Sequence, residues 1–134
     1  MTTYVLATNH VDTSAVLCDY LQSRLAADDT VYAVNSLVGG SETSSEDVLD
    51  GEEALNVVSS RLGGVTEVET HQFVRGNDPD EDVLSYAEEV DADELVIGIR
   101  KRNPTSKVVF GSTAQSILRN ANVPMAVVPL EQVD

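Results

Sequence analysis

The chain is short of the residue types that build several common kinds of functional site. Its 134 residues include one cysteine, two histidines, no tryptophan and only 4% aromatic residues. No Cys or His partner stands at metal-ligand spacing from His10 or His71, so we expect no metal site. A single cysteine excludes an intramolecular disulfide. Cys18 falls in the apolar phase of a predicted helix, which indicates a buried thiol rather than a redox or catalytic one.

Positive charge is also scarce. Eight Lys and Arg residues stand against 23 Asp and Glu, which gives a net charge of −15. Such a surface repels nucleic acid and anionic membranes, so we expect neither as a partner. It fits a salt-adapted cytoplasm, where self-repulsion is screened. The sequence shows no signal peptide and no apolar run long enough to span a membrane, and we therefore expect a soluble, cytoplasmic protein.

Short, valine-rich apolar runs alternate with helical patterns along the whole chain. The predicted strands cover residues 3–8, 30–35, 65–74, 94–98 and 123–129. Strands that alternate with helices in this way predict βαβ units and a parallel sheet within a single domain, residues 1–134. The expected fold class is therefore a three-layer α/β sandwich. The third strand alternates polar and apolar residues, which is typical of a sheet edge.

The helices are predicted from apolar spacing and capping residues. The first is expected to be capped by Asp12, Thr13 or Ser14. The second is expected over residues 45–62 with Leu49 facing inward, and the fourth over residues 112–120 with Leu118 facing inward.

Half of the cations lie in one short window after the fourth predicted strand. They are Arg100, Lys101, Arg102 and Lys107. The strand before the window stops at Gly98, and Gly111, Ser112 and Thr113 then open a helix. Free backbone N–H groups and the helix dipole both favour negative charge at such a position, so the window predicts an anion site. The alternative is that the glycines form turns and the cations are solvated.

The spacing within this window resembles a known loop. Gly98, a gap of two residues, Lys101, a gap of nine and then Gly111-Ser112 resemble the G-x2-G-x9-G-S/T loop of the universal stress protein family, with Lys101 in the place of the second glycine. Residues 4–9, 86–93 and 122–129 resemble the family's first strand, the helix before its fourth strand and its ending. The resemblance covers nearly the full length, and the acidic composition is typical of a haloarchaeal member.

The resemblance implies a five-stranded parallel sheet in the order 3-2-1-4-5, Rossmann-like, with a crevice between strands one and four. It implies that this crevice binds ATP or another adenine nucleotide, with Mg²⁺ as an expected companion, in a stress-response or signalling role. The residues assigned to nucleotide binding are Ala7, Thr8, Asn9, Val34, Gly98, Arg100, Lys101, Arg102, Lys107, Gly111, Ser112 and Thr113.

The resemblance also implies roles for these positions. Residues 7–9 would flank adenine and ribose, with Asn9 standing where the family more often has aspartate. The backbone of Val34 would read the adenine edge, and residues 111–113 would bind phosphate oxygens. Lys101 either adds a charge-assisted phosphate contact or fills the phosphate space, since a lysine replaces a glycine there.

The second possibility for Lys101 leaves an alternative open, in which the chain is a nucleotide-free dimeric stress or scaffold protein. A flavin domain is disfavoured by the scarcity of aromatic residues. No Ser-His-Asp arrangement or paired-carboxylate spacing is present, so we assign no catalytic residue. The sequence leaves slow nucleotide hydrolysis open.

The last predicted strand carries no charge and has no later helix in the sequence to cover it. An open apolar edge of this kind favours pairing with a second copy. The resemblance points the same way, because family members commonly pair through strand five. We therefore expect a homodimer through this strand, and the expected contact residues are Val123, Met125, Val127 and Leu130.

Overall fold

A computed structural model describes residues 1–37, 39, 43–74, 78–100 and 112–130. Strands and helices alternate along this part of the chain. The elements are β1 (Thr3–Ala7), α1 (Val11–Gln22), β2 (Thr30–Leu37), α2 (Ser45–Leu62), β3 (Glu67–Val74), α3 (Pro79–Glu89), β4 (Glu94–Arg100), α4 (Ser112–Asn120) and β5 (Met125–Leu130). The predicted bounds of the second and fourth helices are confirmed.

The strands form one parallel sheet in the order β3-β2-β1-β4-β5. This confirms the predicted fold class and strand order, including the edge position of β3. The order reverses between β1 and β4, and the carboxyl ends of these two strands are where ligands bind in sheets of this kind.

Helices cover both faces of the sheet, and the core lies in two apolar layers. Val5 and Leu6, consecutive residues of β1, are both fully buried because they project to opposite layers. Leu6 packs with α1 and α2, and Val5 packs with α3 and α4. Cys18 is fully buried, as predicted, in the layer that contains Leu6, α1 and α2. Burial raises the pKa of its thiol to about 11. The thiol is therefore neutral near pH 7.

The prediction that Leu49 and Leu118 face inward is wrong. Leu49 is 56% exposed and Leu118 is 39% exposed. The buried stripe of α2 begins at Gly51, and Leu49 lies about 200° away from it around the helix. In α4 the buried residue is Ile117, and its neighbour Leu118 is rotated by about 100° toward solvent.

Every strand also differs from its predicted range at one or both ends, and the difference at β4 bears on the site. β4 does not stop at Gly98 but runs on to Arg100, because β5 pairs with it along its whole length and ends opposite Arg100 at Leu130. Within the described residues, no helix is long and apolar enough to cross a membrane.

The amino-terminal edge of the sheet is held by a buried carboxylate. Asp29 accepts hydrogen bonds from the backbone N–H of Ala26 (2.8 Å) and of Thr2 (2.7 Å), and its own backbone carbonyl accepts from the hydroxyl of Thr66. The Ala26 N–H first, and then the Thr2 N–H, hold the pKa of the Asp29 carboxyl below its usual range. The carboxylate joins the starts of β1 and β2.

The lowered pKa of Asp29 predicts a pH-dependent contribution to stability. The folded-state pKa lies below the ordinary value of about 4, so the contribution is complete above about pH 4 and is lost as the pH falls through the folded-state pKa. We expect Asp29→Asn to lower the free energy of unfolding by about 1–3 kcal/mol at pH 7, since a charge-assisted acceptor is lost. Urea unfolding of both proteins between pH 7 and pH 3 should show the difference shrinking toward acid. A constant difference would contradict this role.

Candidate functional site

The β1–β4 switch point brings several predicted site residues to one edge of the sheet. Pairing between these strands is in register up to Leu6 and Val96. Two residues further on, Thr8 and Gly98 come level with each other at the carboxyl ends. Neighbouring strands lie about 5 Å apart, so these two residues form the floor of a crevice.

β2 supplies the second side of this floor. Val34 pairs with Ala7, and its carbonyl oxygen accepts a hydrogen bond from the backbone N–H of Thr8 at 3.0 Å. The Val34 side chain is fully buried. The Val34 backbone, to which the family resemblance assigns the adenine edge, thus holds the start of the turn after β1 through its carbonyl.

The turn between β1 and α1 is fixed from inside the protein. The hydroxyls of Thr8 and Ser14 lie 2.7 Å apart, and Ser14 Oγ donates to the carbonyl of Ala54 in α2 at 2.7 Å. Because that donation uses the Ser14 proton, the Thr8 hydroxyl donates to Ser14, and the carbonyl of His10 is its second acceptor at 3.2 Å. The carbonyl of Thr8 accepts from the buried side-chain amide of Asn35 at 3.0 Å. Both polar ends of Thr8 therefore point away from the crevice.

Asn9 is exposed immediately after this anchored residue. The next residue, His10, is the N-cap of α1, and its Nδ1 accepts from the backbone N–H of Asp12 at 3.3 Å. The prediction that Asp12, Thr13 or Ser14 would cap the helix is therefore wrong. Thr13 and Ser14 are buried toward the core, where their side chains cannot reach the helix end.

Gly98 has a packing role that does not depend on a ligand. A Cβ at this position would lie 2.9 Å from Cδ2 of Leu130, which is only 7% exposed. Leu130 therefore packs where a side chain at position 98 would be. The backbone of Gly98 also lies next to Thr8 at the crevice. The absence of a side chain at Gly98 therefore serves both the packing of Leu130 and the approach of a ligand.

The basic window lies largely outside the described residues. Lys101, Arg102, Lys107 and Gly111 belong to the part that is not described. On either side of it, Arg100 ends β4 and Ser112 begins α4. Thr113 is exposed in the first turn of α4. Because α4 connects β4 to the parallel strand β5, it begins at the carboxyl edge of the sheet, beside the crevice.

The helix starts at this edge differ in charge. The first turns of α1, α2 and α3 each contain carboxylates that neutralise the positive end of the helix dipole. They are Asp12 in α1, Glu46 and Asp47 in α2, and Asp80, Glu81 and Asp82 in α3. The first turn of α4 contains none. Its N–H groups and dipole are therefore suited to an external anion such as a phosphate.

Sequence reasoning missed Asn35 and the structural role of Ser14. Asn35 is 1% exposed and directly follows residues 31–34 of β2, which contain no charged or amide side chain. A polar residue in such a position was the available signal. Its partner could not be identified from sequence, because Thr8 lies 27 residues away.

These features define a doubly wound α/β protein with a parallel sheet, a switch-point crevice and a helix start that favours an anion. The chain belongs to the universal stress protein family, since the family's sequence model matches residues 3–129. A universal stress protein of Mycolicibacterium smegmatis is 37% identical over 79 residues, which cover 52% of this chain and 61% of the relative. The match thus spans less than two thirds of that relative's length.

Solved structures extend the likeness over nearly the whole chain. The universal stress protein of Archaeoglobus fulgidus is 35% identical, with a TM-score of 0.78, over 97% of this chain and 98% of that one. A second structure, of the universal stress protein from the same organism in complex with dAMP, is 32% identical, with a TM-score of 0.71 and the same coverage. The structural comparison and the sequence comparison therefore indicate the same family.

Proposed function

We propose that this protein binds an adenine nucleotide, with ATP as its expected ligand, in the crevice between the carboxyl ends of β1 and β4. The observation that carries the proposal is the start of α4, which lacks carboxylates and lies at the same edge of the sheet as the anchored turn at Thr8 and Asn9. The related protein of known structure in complex with dAMP supports an adenine nucleotide in this fold. The protein then acts as a ligand-responsive module in stress response or signalling.

The two sides of the crevice bind different parts of the ligand, the nucleoside on one side and the phosphates on the other. Asn9 offers a neutral amide that can donate to and accept from ribose hydroxyls. Residues 111–113 and the cations of the basic window bind the phosphates through N–H groups, hydroxyls and charge. Mg²⁺ accompanies a triphosphate here, and it neutralises phosphate charge that the acidic protein otherwise repels.

The first test is nucleotide binding and its dependence on Gly111. We expect calorimetry with ATP and Mg²⁺ to show binding by the wild-type protein, and Gly111→Val to lower the affinity at least tenfold, because a side chain there blocks the approach of phosphate to the backbone. The fold should survive the substitution, with unchanged circular dichroism.

Gly64 provides a matched control for this substitution. A Cβ at Gly64 would meet nothing within 4 Å. Gly64→Val should therefore bind ATP as the wild type does. Binding by Gly111→Val at wild-type strength would show that the phosphates lie elsewhere, and no heat with the wild type at millimolar ATP would favour the nucleotide-free alternative.

We propose in addition that the protein is a homodimer through β5. This strand forms an edge of the sheet, and its Met125 and Val127 are only partly buried on the face covered by α3 and α4. Leu130 was expected to join them, but side chains alternate along a strand, so it projects to the other face and is already buried against Gly98. Val123, Met125 and Val127 therefore remain as the proposed contact.

The dimer is tested by sedimentation of the wild type and of Val127→Lys at micromolar concentration. We expect the wild type to sediment at about twice the chain mass of 14.4 kDa, and the variant at the monomer mass, because a buried lysine without a partner charge opposes association. Val74→Lys is the control, since Val74 is 44% exposed on the opposite edge strand β3. A wild-type monomer would contradict the proposal, and a dimeric Val127→Lys would move the interface away from β5.

A further inference from the structure

A directed chain of side-chain amides lies beneath the turn after β1. Gln72 Nε2 donates to the carbonyl of Val48 at 2.9 Å and to Asn35 Oδ1 at 3.1 Å. Asn35 Nδ2 donates in turn to the carbonyl of Thr8 at 3.0 Å. Backbone carbonyls can only accept, so each amide has one orientation that satisfies all three bonds. The nitrogen of Asn35 must therefore face Thr8.

The neighbouring helix leaves room for this amide. Gly51 is buried in α2, and a Cβ there would lie 2.1 Å from Asn35 Oδ1 and 2.7 Å from Gln72 Nε2. Any side chain at Gly51 would displace the pair. Glycine in a helix interior lowers helix stability, so its presence here is explained by the space that the amides occupy.

The bond from Asn35 sets the direction of one peptide unit. The carbonyl of Thr8 and the N–H of Asn9 belong to the same planar trans peptide, in which they point in opposite directions. Since Asn35 holds the Thr8 carbonyl inward, the Asn9 N–H points outward, toward the crevice. Thr8 itself cannot rotate freely, because its own N–H is bonded to the carbonyl of Val34 at 3.0 Å.

We propose that Asn35 is a positioning residue for nucleotide binding, which aims the backbone N–H of Asn9 at the base-and-ribose end of the ligand. This inference rests on the proposed function. It assigns to Asn35 an effect on the nucleoside part of the ligand and none on the phosphates, which are bound from the start of α4. A merely structural role for the same amide would change stability without distinguishing the two parts.

The test compares ATP with tripolyphosphate, which lacks the base and ribose. Asn35→Asp keeps the shape of the side chain and removes the donor to Thr8. We expect it to weaken ATP binding by roughly tenfold, the effect of losing one buried hydrogen bond, while tripolyphosphate binding by calorimetric competition stays at the wild-type value.

Thr66→Val is the matched control. Its hydroxyl donates to the carbonyl of Asp29 at the opposite edge of the sheet, so the variant also loses a buried hydrogen bond while retaining its shape. It should lose stability and bind both ligands as the wild type does.

The outcomes distinguish a failure of nucleotide binding from a failure of the positioning role of Asn35. If the wild type binds no ATP, the proposed function fails. If the wild type binds ATP and Asn35→Asp binds it equally well, or loses ATP and tripolyphosphate by the same factor, the positioning role alone is overturned.

If Asn35→Asp does not fold, Gly51→Ala tests the positioning role of Asn35 instead. The alanine keeps Asn35 in the sequence but collides with its amide, so the amide is displaced from the Thr8 carbonyl. We expect the same selective loss of ATP affinity. Wild-type ATP affinity in Gly51→Ala would overturn the inference.

Discussion

The structure depends on the pairing of β1 with neighbours on both sides. A buried central strand must satisfy its backbone groups on both edges, and β1 does so through β2 and β4. Pairing stops at its carboxyl end, where the chain turns into α1 and where β2 and β4 lie on either side. The crevice is a consequence of this constraint, because the order of the sheet reverses there and the two connecting chains separate.

The distribution of charge indicates which part of the carboxyl edge of the sheet suits an anionic ligand. The protein carries a net charge of −15, and carboxylates in the first turns of α1, α2 and α3 neutralise their own helix dipoles. Only the start of α4 in the described structure lacks them, and half of the cations of the chain come shortly before it in sequence. An anion therefore meets repulsion over most of the surface, and among the described helix starts that of α4 suits it best.

Much of the fold could be predicted from the sequence, because apolar spacing and turn residues act locally. The bounds of α2 and α4 followed from such signals, and the strand order followed from the family resemblance. The His10 cap, the passage of β4 through Gly98 and the bond from Asn35 to Thr8 could not be predicted. The last two depend on the tertiary fold, through the packing of Leu130 and the approach of β2 to the turn. The cap lies at His10 because Thr13 and Ser14, two of the predicted capping residues, are buried toward the core.

We propose that an adenine nucleotide lies between the turn after β1 and the start of α4. The most direct measurement is a titration with AMP followed by the backbone amide resonances of the isotope-labelled protein. A nucleotide in the crevice should cause saturable shifts at Asn9 and Thr113, on its two sides, and none at Glu69 on the distant edge strand β3. Shifts confined to β3, or the absence of any shift at Asn9 and Thr113 under saturating AMP, would contradict it.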